Sequence, residues 1–150
     1  EALSPEGTVF CAEDVVYTGN IRIEKSNDLE NLAGITRISG NLVVAGNIHS
    51  TVKMESLRRI DGNLWIWDSG RLVDFQFPKL EEVGGDILIR NNNNLKDFGM
   101  STLNRVGGNV AIAFNSALPT CIARGLADLI GEANITGTVK IEGNQPDSCE

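Results

Sequence analysis

The sequence predicts a mainly β fold, a solenoid of about six coils with a period of 21–23 residues, closed by one C-terminal helix. Three observations carry this. A short phrase recurs as Gly19-Asn20-Ile21-Arg22-Ile23, Gly40-Asn41-Leu42-Val43-Val44, Gly62-Asn63-Leu64-Trp65-Ile66, Gly85-Asp86-Ile87-Leu88-Ile89, Gly108-Asn109-Val110-Ala111-Ile112 and Gly137-Thr138-Val139-Lys140-Ile141. The steps between its glycines are 21, 22, 23, 23 and 29. A fixed period in the twenties marks stacked coils. One coil cannot bury its own apolar face, whereas stacked coils share a continuous core. Within the phrase, apolar residues alternate with others at period two, as in a half-buried strand. Aromatic residues are only 5% and glycines number 16, which suits an aliphatic core with repeated tight corners.

The 150 residues, 41% hydrophobic and 22% charged, fit one globular domain. A net charge of -7 argues against nucleic acid and anionic membrane as partners, since both attract basic patches. No apolar run approaches the roughly 20 residues that span a bilayer, so membrane insertion is not expected. The chain does not open with a signal-peptide pattern, which suggests a mature or trimmed form.

Residues 1–18 precede the first clear repeat. Val9, Phe10, Val15, Val16 and Tyr17 predict a β-rich N-terminal cap over the open end of the core. Residues 19–117 form the coils. After each strand comes a polar turn: Ser26-Asn27-Asp28, Asp68-Ser69-Gly70, Asn91 to Asn94 and Asn115-Ser116. The asparagines read as stacked turn formers rather than ligands, because an Asn side chain can close a turn on its own backbone. Apolar residues then recur at spacings of two to four and should point inward from shorter strands. They are Leu29, Leu32, Ile35 and Ile38, then Leu72, Phe75, Phe77, Leu80 and Val83, then Leu95, Phe98, Leu103 and Val106. Gly34, Pro78 and Gly99 interrupt any helical reading of that spacing. Residues 118–150 form a C-terminal cap. Ile122, Leu126, Leu129, Ile130 and Ala133 make one helical stripe within Leu118 to Ala133, and Pro119 suits a helix start. A last strand over Ile135 to Ile141 and a polar tail follow.

Three cysteines remain: Cys11, Cys121 and Cys149. Neighbouring strands lie about 4.8 Å apart, so the first and last coils stand roughly 20–25 Å apart, beyond the roughly 7 Å that a disulfide allows between Cα atoms. That keeps Cys11 from the other two. Cys121 and Cys149 share the C-terminal end and are expected to pair, which favours a secreted or periplasmic location. Three buried thiols in a reducing compartment is the alternative.

The coil Leu72 to Ile89, L-x-x-F-x-F-x-x-L-x-x-V-x-G-D-I-L-I, resembles the receptor L domain. That family includes the ligand-binding lobes of insulin- and EGF-type receptors, fungal cell-wall proteins and secreted bacterial proteins. The run Leu118-Pro119-Thr120-Cys121, then Ile135 to Asn144 and Cys149, is most similar to the bacterial type. The resemblance covers nearly all of the chain from Cys11 onward. It implies a right-handed parallel β-helix with an extracellular or cell-surface location. Leucine-rich repeats are the near neighbour, but a glycine before each strand favours the L domain. The bacterial pattern also implies a cysteine near Leu32-Ala33-Gly34 that pairs with Cys11; Ile35 stands there instead. Cys11 is then a free, buried or intermolecular thiol.

Catalysis has little support. His49, the single histidine, sits in a polar turn and reads as a solvated residue. No nucleophile set, metal-spaced cluster or phosphate-binding loop appears, so no metal or cofactor is expected. Glu81-Glu82 reads as surface. The better candidate is the sheet face. The middle residue of each phrase must point outward, and so must the residue after the phrase. One column reads Arg22, Val43, Trp65, Leu88, Ala111, Lys140; the other reads Glu24, Ala45, Trp67, Arg90, Ala113, Glu142. The candidate binding surface is Val43, Ala45, Trp65, Trp67, Leu88, Arg90 and Ala111. An apolar patch with a charged rim marks an interface, and Trp and Arg are enriched at hot spots. A register slip of one residue would bury both tryptophans. The expected function is a non-enzymatic binding or adhesion module working through protein contacts or self-association. A glycan-binding module and a structural, self-assembling subunit are the alternatives. Asn134-Ile135-Thr136 is a glycosylation sequon that matters only in a eukaryotic secretory pathway.

Overall fold

A computed structural model describes residues 14–48 and 50–146. Strands β1 (Val16–Tyr17) and β2 (Ile21–Lys25) lead through a 3-10 helix (Ser26–Leu29) to β3 (Arg37–Ile38). Three three-stranded turns follow: β4 (Leu42–Asn47), β5 (Ser50–Lys53) and β6 (Arg59–Ile60); β7 (Leu64–Trp67), β8 (Leu72–Gln76) and β9 (Glu82–Val83); β10 (Ile87–Arg90), β11 (Asp97–Gly99) and β12 (Arg105–Val106). β13 (Val110–Ala113), helix α1 (Thr120–Ile130), a 3-10 turn (Glu132–Asn134) and β14 (Val139–Glu142) complete the order.

The strands form three parallel sheets: β14-β13-β10-β7-β4-β2, β1-β3-β6-β9-β12 and β11-β8-β5. The recurring phrase makes the first sheet, and its register places like residues side by side: Leu42, Leu64, Ile87 and Val110 in one buried row, continued by Val139, which is exposed at the end. The solenoid makes about four turns, not six. Six strands enclose only five connections, and α1 occupies the last.

The glycine of the phrase has a steric cause. Each Asn or Asp that follows it holds the next rung: the Asn41 amide donates to Asn20 Oδ1 (2.8 Å), Asn63 to Asn41 Oδ1 (2.8 Å), Asp86 to Asn63 Oδ1 (2.7 Å), Asn109 to Asp86 Oδ1 (2.8 Å) and Thr138 to Asn109 Oδ1 (2.8 Å). A Cβ at Gly108 would collide with Asp86 Oδ1 and the Gly85 backbone.

A second ladder runs inside the turn. The Ser69 amide donates to Asn92 Oδ1 (3.0 Å), Asn92 to Asn115 Oδ1 (3.1 Å) and Asn115 to Asn144 Oδ1 (3.1 Å). The side-chain amides of Asn92, Asn115 and Asn144 donate to the carbonyls of Ile66, Ile89 and Ile112. Ser69, Asn92 and Asn115 are fully buried, so these bonds satisfy groups that no water reaches. The asparagines are indeed stacked turn formers. Just before this ladder the chain turns through positive φ at Gly46, Asp68, Asn91, Phe114 and Gly143, equivalent corners of five rungs. Gly, Asn and Asp tolerate that conformation best, and Phe114 is the exception.

The core is aliphatic, with Phe75 and Phe77 at its centre. Ile35, Ile38, Leu72, Leu80, Val83, Leu95, Leu103 and Val106 point inward as expected, whereas Leu29, Leu32 and Phe98 are half-buried. Phe98 stacks on Phe75 at 5.1 Å between centroids. Helix α1 is shorter than the predicted Leu118 to Ala133, because Gly131 ends it at φ 87°. Ala123, Leu126 and Ile130 join the core. Leu129 is 51% exposed, and Ala133, also exposed, lies in the 3-10 turn. The predicted strand over Ile135 to Ile141 divides. Ile135 bridges Val106 beside the five-stranded sheet, and β14 begins at Val139. β1 is the end strand of that sheet, and Val15, Val16 and Tyr17 are exposed. Val9, Phe10, Cys11, His49 and Cys149 lie outside the described residues.

Candidate functional site

The six-stranded sheet buries Leu64 and Ile66 completely. Trp65 and Trp67 therefore stand on its outer face, half-buried, with ring centroids 5.5 Å apart at 30°. The first predicted column is in register throughout: Arg22 beside Val43, then Trp65, Leu88, Ala111 and Lys140. Val43, Trp65, Leu88 and Ala111 are each half-buried, so four consecutive rungs present one apolar ridge. Each end of the face carries an internal ion pair, Arg22 with Glu24 and Lys140 with Glu142 (3.3 Å).

The second column holds in part. Trp67, Arg90, Ala113 and Glu142 are aligned. At β2 a bulge between Ile23 and Lys25 shifts the register, so Lys25 lies opposite Asn47. Ala45 and Ala113 are each only 5% exposed. They are small residues beneath larger neighbours and add little contact area themselves. Arg90 lies over the ring of Phe114, with the guanidinium carbon 5.2 Å from its centroid, and Phe114 is 42% exposed. Phe114 enlarges the apolar face at the corner. Its signal was in the sequence: it stands one residue beyond the second column, where four other rungs have Gly46, Asp68, Asn91 and Gly143.

The bulge is built. Asp28 Oδ2 accepts from the backbone amides of Glu24 (2.9 Å) and Lys25 (3.2 Å). The amide of Glu24, first, and then that of Lys25 stabilise the carboxylate and hold its pKa below the usual range. Beside this bulge, β4 carries Ala45-Gly46 between the long side chains of β2 and the indole of Trp67 on β7. The difference in size leaves a cleft of about 710 Å³.

The outer face of the five-stranded sheet carries an ionic ladder. Arg37 Nη2 bonds Asp61 Oδ2 (2.8 Å), Arg59 Nε bonds Asp61 Oδ1 (2.6 Å), and Arg59 also pairs with Glu82, which Arg105 approaches at 3.6 Å. Arg37 foremost, then Arg59, holds the Asp61 carboxyl below the usual carboxylate range, and Asp61 in turn raises the Arg59 guanidinium. Glu81 stands 3.7 Å from Arg58. With Arg37, Arg58, Arg59 and Arg105 against Asp61, Glu81 and Glu82, this face is polar and carries one positive charge in excess of balance. A smaller apolar groove runs between β11 and α1, lined by Phe98, Met100, Ile122, Leu126 and Leu129.

Cys121 lies in the first turn of α1 and is disulfide-bonded. Among the described residues, no group of three His, Cys, Asp or Glu side chains could hold a metal ion, and no helix is long and apolar enough to cross a membrane. No protein-family model and no curated protein matches the chain.

Proposed function

We propose that this chain is a non-enzymatic binding or adhesion module of the receptor L domain type, secreted or at the cell surface. It works through protein contacts on the outer face of the six-stranded sheet. One observation carries the reading: Val43, Trp65, Leu88 and Ala111 form a continuous apolar ridge on four adjacent rungs, with ion pairs at both ends and Arg90 beside it on a middle rung. An exposed apolar patch with a charged rim marks an interaction site.

A second copy of the chain fits this face. A two-fold axis running along the solenoid sets each rung against its own copy with the columns exchanged. Arg22 then meets Glu24 of the second copy, Trp65 meets Trp67, and Lys140 meets Glu142, so opposite charges face one another at both ends. Six strands about 4.8 Å apart, each about four residues of 3.3 Å, give a patch of roughly 25 Å by 13 Å. Both partners together would bury about 650 Å², which is small for a stable dimer and predicts weak, concentration-dependent pairing. Light scattering across a concentration series, with and without reductant, tests this. A mass that rises with concentration, survives reductant and stays monomeric in Trp65→Ala supports the face. A monomer at every concentration refutes self-pairing, and a dimer lost on reduction assigns the contact to Cys11. The pairing of Cys121 with Cys149 belongs to the same extracellular reading; peptide mapping without reductant finds that bond or refutes it.

A further inference from the structure

The cleft beside Trp67 lies where the register of the six-stranded sheet breaks. Adjacent rungs elsewhere are in register across the sheet, but the bulge between Ile23 and Lys25 lengthens the β4 corner and sets Asn47 opposite Lys25. β-bulges are enriched next to functional sites because they re-aim side chains. Here the bulge is fixed by two hydrogen bonds to Asp28 Oδ2. Gly46 is held tightly: its φ is +119°, and a Cβ there would collide with the Glu24 carbonyl. Gly46 therefore keeps the floor of this open depression low.

The lining has a definite chemistry. Trp67 supplies one aromatic wall. Arg22 and Lys25 supply two cations, Glu24 and Asp68 two carboxylates, and Asn47 an amide. The two signs cancel, so the site selects neither anions nor cations. It offers donors and acceptors in near-equal number around one ring face. It is an open, shallow depression of about 710 Å³, which suits a ligand that lies flat with one edge in solvent. A ligand that matches has apolar C–H groups on one face, hydroxyls around its edge and no charge.

We propose that this cleft binds a neutral sugar ring, stacked on Trp67 and held through its hydroxyls by Glu24, Asn47 and Asp68. Carboxylates and the amide oxygen accept from the hydroxyls; Arg22, Lys25 and the amide nitrogen donate to them. Trp65 does not line the cleft and takes no part. The cleft shares Arg22, Glu24 and Trp67 with the pairing face, so sugar and a second copy compete for it, while Trp65 belongs to the pairing face alone.

The test uses the whole chain and four probes: cellotriose, maltotriose, chitotriose and inorganic phosphate. Binding is followed by saturation-transfer difference NMR and indole fluorescence at probe concentrations up to tens of millimolar. At least one neutral trisaccharide binds and phosphate does not. Trp67→Ala weakens that binding by at least about tenfold, as loss of a contact hot spot does. Trp65→Ala keeps the affinity to within about twofold. Trp67→Phe, which keeps an aromatic wall, retains part of the affinity, and a thermal melt shows that each variant is folded. Three outcomes overturn the proposal: no trisaccharide binds, binding survives Trp67→Ala, or phosphate competes. Self-association that Trp65→Ala abolishes while sugar binding fails would sink the cleft alone. The converse pattern would sink the ridge alone.

Discussion

Removing the Asn115 side chain should destabilise the solenoid more than any other single deletion of a polar group. Asn115 is fully buried. Its Nδ2 donates to the Ile89 carbonyl (3.0 Å) and to Asn144 Oδ1 (2.9 Å), and its Oδ1 accepts from the Asn92 backbone amide (3.1 Å) and side-chain amide (3.0 Å). In Asn115→Ala the Ile89 carbonyl and the Asn92 amide lose these partners without gaining water. At about 1–3 kcal/mol for each buried group left unsatisfied, the expected loss is about 3–5 kcal/mol. That is a large part of the roughly 5–15 kcal/mol available to a domain. With a urea slope near 2 kcal/mol/M, the midpoint should fall by about 2 M at constant slope. Asn104→Ala is the control. Asn104 is exposed, its amide reaches the Thr102 carbonyl only at 3.4 Å, and its loss should cost less than about 0.5 kcal/mol. If Asn115→Ala moved the midpoint no further than Asn104→Ala, the internal ladder would not be what holds the rungs in register.

Leu64→Asp should unfold the middle turns at a cost above about 4 kcal/mol, since it places an unpaired charge between Leu42 and Ile87; a cooperative melt near the wild-type temperature would contradict the strand register. Trp65→Ala combined with Trp67→Ala should cost less than about 2 kcal/mol, because both rings are half-buried on the outside; a collapse in thermal stability would place them in the core. Asp61 contributes through a pKa lowered by Arg37. Its folded value lies below the unfolded one, so the contribution is complete above the unfolded value of about 3.9 and fades as pH falls through the folded value. Acid titration of Asp61→Asn should therefore converge on wild type at low pH, and a gap that widened toward low pH would invert the sign.

The phrase strands were legible because a period of two leaves only two choices of face, and Leu64 and Ile66 cannot share the outside with Trp65. The asparagines were legible for a similar reason, since one residue type recurs at one place in each rung. What was harder to read came from places where the period fails. The bulge between Ile23 and Lys25 adds no residue type that marks it, so the pairing of Lys25 with Asn47 and the cleft were not visible. The five-stranded sheet has strands of only two residues, too short for alternation to appear, and its Arg37, Asp61, Arg59 and Glu82 ladder went unseen. Gly131 stops α1 before the apolar stripe ends, which leaves Ala133 in the 3-10 turn, and Leu129 falls on the outward side of the helix. Counting phrases also overstated the turns, because the last connection is a helix.

The most direct test of the proposed interface is a dilution series of ¹⁵N-resolved spectra, from the lowest usable concentration to the highest. Signals that move with concentration should cluster on Val43, Leu88, Ala111 and the Trp65 and Trp67 indoles. The ionic ladder at Arg37 and Asp61 and the groove at Leu129 should stay still. Shifts confined to that groove or that ladder, or none anywhere, would contradict self-pairing through the six-stranded face.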